Sequence, residues 1–145
     1  MDKFDKYYIS KDLNIRSDLK HSYVKYDEKT LLISNGYSVV YTKSIRNDFK
    51  ENDKLKSALI GFYDRFTGLS SECSKRNIAL SELKDGLVDG HYKINKDFGI
   101  NYTQLKKIID IIGVKCINIM EDDTPVIEIV GRDNQVGYLL PCRVY

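Results

Sequence analysis

Apolar residues recur with helical spacing close to the C-terminal end of this chain. Leu105, Ile108, Ile109 and Ile112 fall at i, i+3, i+4 and i+7, one face of a helix, and Lys106, Lys107 and Asp110 fall on the other. Asn101 precedes the stripe as an N-cap residue, and Gln104 three positions on completes a capping-box pattern. Gly113 stands where a helix end favours a residue tolerant of positive φ. The spacing therefore predicts a helix over 102–112. Three β-branched, apolar runs follow at 114–120, 126–130 and 136–140, separated by Glu121-Asp122-Asp123-Thr124-Pro125 and by a second polar turn at 131–135. The chain closes on Pro141-Cys142-Arg143-Val144-Tyr145.

The same reading continues through the earlier chain. A short strand is predicted at Tyr7-Tyr8-Ile9, then a polar stretch at 11–20. Short strands follow at 22–25, 31–34 and 38–44. Asn35-Gly36 between the last two is a hairpin signal, because a type I′ turn needs φ > 0 at both central residues. The clearest helix by periodicity is 53–66, with Leu55, Ala58, Leu59, Phe62 and Phe66 inward and Lys54, Lys56, Asp64 and Arg65 outside. Gly68 is expected to stop it, and 70–77 reads as a polar connection. Residues 78–83 fit a strand or a helix start; 91–94 and 98–100 read as strands. Each half thus offers one helix and about three following strands. The expected fold is α+β, a single domain over 1–145 in which the two helices pack on antiparallel sheet as two βαβββ-type halves.

Composition narrows the function classes. Hydrophobic residues make up 42% of 145, enough for one core. Lys+Arg of 23 against Asp+Glu of 21 gives +2, so any nucleic-acid contact must come from local patches. Cys73, Cys116 and Cys142 are odd in number and widely spaced, which argues against a disulfide framework and against zinc. No apolar run suits a membrane span and the start is charged, so a soluble cytoplasmic protein with no membrane partner is expected.

No catalytic pattern stands out. His21 and His91 have no His or Cys at ligand spacing. Asp89-Gly90-His91 reads as a turn, Glu121-Asp122-Asp123 lacks the alternation of a calcium loop, and 86–90 lacks the Lys-Ser/Thr of a phosphate loop. The expectation is a protein without enzymatic activity, metal or cofactor.

Several pieces, in order, resemble one family. Asn101 with Leu105, Gly113, Thr124-Pro125-Val126-Ile127 and Tyr138-Leu139-Leu140-Pro141-Cys142-Arg143 are similar to the end of the bacterial replicative sliding clamp, the beta subunit of DNA polymerase III. There a capped Leu-rich helix and a strand lead through an acidic turn to an "SPV-I" strand and a "YL-MPMR" tail. Ser34-Asn35-Gly36-Tyr37-Ser38 also resembles that family's "ATDGHRL" stretch. The resemblance covers about a third of the chain and implies a DNA-clamp-like domain acting in replication or recombination. Helices line the DNA channel in that family, so Lys106, Lys107, Lys54, Lys56 and Arg65 become candidate contacts to double-stranded DNA, weak and sequence-independent. The family tail helps form a groove for short peptide motifs, which makes Leu140, Pro141, Cys142 and Arg143 candidate contacts to replication proteins. The family ring takes six domains, so one domain per chain implies a homo-oligomer or work without a closed ring. The competing expectation is a phage or mobile-element interaction protein that uses such a fold to inhibit or redirect a host protein without binding DNA.

Overall fold

A computed structural model describes residues 2–8, 22–44 and 53–144. Ile9, the polar stretch 11–20, His21 and Tyr145 lie outside them. The fold is α+β and centres on a seven-stranded antiparallel sheet. Helix α1 (Lys3–Tyr8) precedes β1 (Ser22–Lys25), β2 (Leu31–Ser34) and β3 (Ser38–Thr42). A 3-10 turn, Asp53–Leu55, leads into α2 (Lys56–Glu72), β4 (Lys75–Ile78) and α3 (Leu80–Asp85). Next come β5 (His91–Lys93), β6 (Phe98–Asn101) and α4 (Tyr102–Ile112). The chain ends with β7 (Cys116–Met120), β8 (Val126–Val130), β9 (Val136–Leu139) and β10 (Cys142–Arg143). The large sheet has the order β1-β2-β3-β9-β8-β7-β4, and β10-β6-β5 form a small second sheet.

That order contains a repeat. Helix α1 is followed by β1, β2 and β3; helix α4 is followed by β7, β8 and β9. The two triplets meet where β3 pairs antiparallel with β9, Val40 opposite Gly137, as a twofold axis through that pair requires. Helices α1 and α4 pack against each other on one face. Phe4, Tyr7 and Tyr8 from α1 and Leu105, Ile108, Ile111 and Ile112 from α4 share a core with Ile33, Val40, Ile117, Ile119, Ile127, Ile129 and Leu139. Gly137 lets α4 approach, since a Cβ there would lie 2.7 Å from Ile108 Cγ2.

The structure corrects three expectations. First, Tyr7 and Tyr8 are helical, not a strand: Phe4, Tyr7 and Tyr8 stand at i, i+3, i+4 and all point into the core. Second, the helix that repeats α4 is α1, so 53–66 and 102–112 do not form two side-by-side halves. Helix α2 lies on the opposite face of the sheet, over Val24, Leu32, Val39, Met120, Val126 and Tyr138. Third, its inward stripe is rotated from the expected one. Leu59 alone is fully buried; Leu55, Ile60, Tyr63, Phe66 and Leu69 pack partly inward, while Ala58 and Phe62 are exposed. The cause is Tyr63, whose ring stacks on Tyr41 with centroids 5.4 Å apart and so draws that side of the helix onto the sheet. Gly68 does not end α2, because the next turn is held by Leu69 and Ser70.

Helix α4 follows its local signals. Asn101 Oδ1 accepts from the Gln104 N–H at 3.1 Å, and Gly113 caps the other end at φ 74. The capping box is only half formed, since Gln104 Oε1 instead accepts from Asn35 Nδ2 at 3.0 Å. The Asn35-Gly36 hairpin forms with positive φ at Gly36 but not at Asn35. Asn35 is buried and acts as a hub: Nδ2 also donates to the Tyr7 carbonyl at 2.8 Å, and Oδ1 accepts from the Tyr37 N–H at 3.0 Å. One side chain therefore joins α1, α4 and the β2–β3 turn.

Candidate functional site

Two surfaces, one on each face of the sheet, hold four of the residues expected to carry function: Lys106 and Lys107 on one, Arg65 and Leu140 on the other. The first lies on α1 and α4. Lys6, Tyr102, Thr103, Lys106, Lys107 and Asp110 line an open depression of about 470 Å³. Leu105, Ile108, Ile111 and Ile112 anchor α4 beneath it, so Lys106 is exposed and Lys107 half-buried. Tyr7 fixes α1 beside it: its fully buried hydroxyl lies 2.6 Å from Ser38 Oγ, and burial pushes that hydroxyl far above the ordinary tyrosine range. Three lysines against one aspartate make the depression basic. Lys6 joins the expected pair Lys106 and Lys107 only because α1 is a helix, which is why its place was not foreseen.

Lys54, Lys56 and Arg65 do not share that surface. They belong to the 3-10 turn and α2, across the sheet from α4. The five basic residues therefore do not form one surface, since that required α2 and α4 to be neighbours.

The second surface is an apolar groove of about 500 Å³ between α2 and the sheet. Helix α2 contributes Leu59, Phe62, Arg65, Phe66 and Leu69 as one wall. The facing ends of β2 and β3 and the turn between them contribute Ser34, Gly36, Ser38 and Val39, the β7–β8 turn and the start of β8 contribute Asp122 to Thr124 and Val126, and β9 with the residue after it contributes Tyr138 and Leu140. Phe62 is 51% exposed and Leu140 44%, so two large apolar side chains face solvent at its mouth. That volume falls in the range of roughly 300–1,000 Å³ that accommodates ligands.

A buried polar network holds α2 in place beside the groove. Glu128, in the middle of β8, accepts hydrogen bonds from Ser70 Oγ of α2, from Lys75 Nζ at 3.1 Å and from Asn118 Nδ2 at 3.0 Å. Burial pushes its carboxyl up, but the three hydrogen bonds and the Lys75 charge outweigh that and hold it below the ordinary glutamate range. A lone carboxylate inside Val126-Ile127-Glu128-Ile129-Val130 was the available signal for this network. An aromatic row continues it: Tyr63 and Phe66 both pack on Tyr138, and burial pushes the Tyr63 hydroxyl up to about 12.

The expected tail site divides. Leu140 enters the groove, whereas Cys142 and Arg143 form β10 against Gly99 and Phe98 of β6. Cys142 Sγ donates to the Gly99 carbonyl at 3.2 Å and its thiol is pushed up by burial, and the Arg143 guanidinium lies 5.6 Å from the Phe98 ring centre. Pro141 is half-buried at the turn between these places. Among the described residues, no group of three or more His, Cys, Asp or Glu could hold a metal ion, and no helix is long and apolar enough to cross a membrane. The chain matches no family model, no curated protein and no solved structure.

Proposed function

We propose that this chain is a non-enzymatic, clamp-like DNA-associated protein that holds duplex DNA weakly along α1 and α4 and recruits protein partners through the groove beneath α2. The supporting observation is the repeat: two helix-plus-three-strand units related about the β3–β9 pair, with their helices side by side on one face. The resemblance of the C-terminal third to sliding clamps implies such a paired-helix face toward DNA, and Lys6, Lys106 and Lys107 supply the charge that phosphates need. Few lysines and a near-neutral chain keep the affinity at or weaker than about 10⁻⁴–10⁻⁶ M at physiological salt. Retention on DNA would then come from assembly around the duplex, which for one domain per chain means a homo-oligomer.

The test is fluorescence anisotropy with two unrelated duplexes at low salt. Lys106→Glu with Lys107→Glu should weaken both duplexes equally and reduce the slope of log affinity against log salt by about 2. Lys54→Glu with Lys56→Glu should change neither, because those residues lie across the sheet. No binding by the wild type at low salt, together with a monomeric mass in sedimentation, refutes the DNA role. The remaining reading is then an interaction protein that acts on a host protein through the groove.

A further inference from the structure

The β2–β3 turn carries a pair with chemistry of its own. An asparagine followed by glycine can cyclise, because no Cβ on the attacking residue crowds the approach. The Gly36 amide nitrogen bonds to the Asn35 side-chain carbonyl carbon, the Cγ–Nδ2 bond breaks, and Nδ2 leaves as ammonia with the proton that Gly36 gives up. Water then opens the cyclic imide and leaves aspartate or isoaspartate at position 35. The docked chain holds both reactants in place. Asn35 is buried, and its carboxamide is held from four sides: Nδ2 donates to the Tyr7 carbonyl at 2.8 Å and to Gln104 Oε1 at 3.0 Å, while Oδ1 accepts from the Tyr37 N–H at 3.0 Å and the Ser38 hydroxyl at 3.2 Å. The Gly36 N–H donates to Ser34 Oγ at 3.2 Å. Of those partners, α1 supplies the Tyr7 carbonyl, and the Tyr7 hydroxyl, 2.6 Å from Ser38 Oγ, steadies a second.

We infer that Asn35 is a deamidation site kept closed by α1, and that its conversion is a one-way release of that helix. Opening follows from size: α1 has 6 residues, too few to hold a helix on its own, so it is either docked or unfolded. With α1 away, Asn35 loses the Tyr7 carbonyl, meets water and is free to turn toward the Gly36 nitrogen. The product does not fit the docked form. A carboxylate at position 35 has no proton to give, so the Tyr7 carbonyl, near the negative end of α1, would face a negative oxygen away from water. Gln104 can turn its amide round and donate, so α4 keeps its contact; the backbone carbonyl of Tyr7 cannot. An isoaspartate also adds a carbon to the backbone of the turn. Lys6 leaves with α1, so the basic depression keeps only Lys106 and Lys107 of its lysines.

The experiment ages the full chain at mildly alkaline pH and follows residue 35 by fragment mass, beside a peptide of residues 31–39. The chain should convert about a hundredfold or more slowly than the peptide, as fits opening of a buried helix. Tyr7→Phe keeps the ring and the carbonyl but loses the bond to Ser38, and should speed conversion about threefold to tenfold. Met120→Ala, which weakens packing on the α2 face, should leave the rate unchanged. The converted fraction, separated by its added negative charge, and Asn35→Asp should both show faster amide exchange in α1 while β7, β8 and β9 stay protected. Conversion of the wild type at the peptide's rate overturns the closed site. A Tyr7→Phe chain that converts no faster than wild type, or a Met120→Ala chain that converts as fast as Tyr7→Phe, overturns gating by α1. Wild-type exchange in α1 after conversion, or loss of structure throughout the converted chain, overturns the one-way release.

Discussion

Substituting Glu128 tests how α2 is held against the sheet. The wild-type carboxylate is buried and accepts from donors on three elements: Ser70 on α2, Lys75 on β4 and Asn118 on β7. Glu128→Gln keeps the volume but removes the charge and turns one acceptor into a donor facing Lys75 or Asn118. Removing one partner of a fully buried ion pair costs about 3–5 kcal/mol. Here the Lys75 side chain is 34% exposed and can return to water, whereas Glu128 is only 6% exposed. The expected cost at pH 7 is therefore lower, about 2 kcal/mol, or a fall of roughly 4–8 °C in Tm.

The pH dependence has a definite sign. The folded-state carboxyl is held below its ordinary range, so its contribution is present above the unfolded pKa, near 4.3, and is lost as pH falls through the lower folded value. Urea midpoints of wild type and Glu128→Gln, compared between pH 7 and pH 3, should converge in acid. Amide exchange within α2 should rise in the variant, since a neutral amide oxygen holds the Ser70 hydroxyl less tightly than the carboxylate does. Equal stability at pH 7, or a gap that does not shrink toward pH 3, would refute the view that an ionised Glu128 fastens α2.

Two further substitutions test the packing on the two faces. Gly137→Ala should cost about 1–3 kcal/mol by thermal melting, because the new methyl would lie 2.7 Å from Ile108 Cγ2 and push α4 outward. Leu59→Ala should cost about 2–4 kcal/mol, whereas Phe62→Ser should change stability by no more than about 0.5 kcal/mol, since Leu59 is buried and Phe62 is 51% exposed.

What the sequence made legible was local and mutually consistent. Helix α4 has Asn101 at one end, Gly113 at the other and a stripe between them, and each signal points to the same element. The strands β7, β8 and β9 are bounded by turns with clear polar chemistry, so their order and spacing follow directly. The misread elements involve tyrosine. Tyr7 and Tyr8 have strand propensity as a pair, but the helical spacing of Phe4, Tyr7 and Tyr8 places both against α4. Tyr63 was assigned to neither face of the helix, yet its ring is what α2 lays on Tyr41 and Tyr138, and this turns Phe62 outward into the groove mouth. The candidate site followed the same division. Lys106 and Lys107 lie together because they share α4; Arg65 and Leu140 lie together only through tertiary packing of α2 over β9, which no spacing in the chain encodes.

The two surfaces are built from the same strands, and that ties them mechanically. Along a strand, successive side chains face opposite sides of the sheet. Leu139 is buried on the α4 side, while its neighbours Tyr138 and Leu140 line the groove. Val40 packs under α4, and Val39 forms groove floor. Ser38 stands on the boundary, since its Oγ meets the Tyr7 hydroxyl of α1 and the residue also lines the groove. A shift of α1 and α4 relative to the sheet must therefore move β3 and β9, and with them one wall of the groove. The other wall, α2, is fastened both through Ser70 to Glu128 on β8 and through Tyr63, packed on Tyr41 of β3 and Tyr138 of β9. On the proposed reading, DNA held along α1 and α4 would reach both walls of the groove through β3 and β9, with the Ser70–Glu128 contact on β8 limiting how far α2 follows.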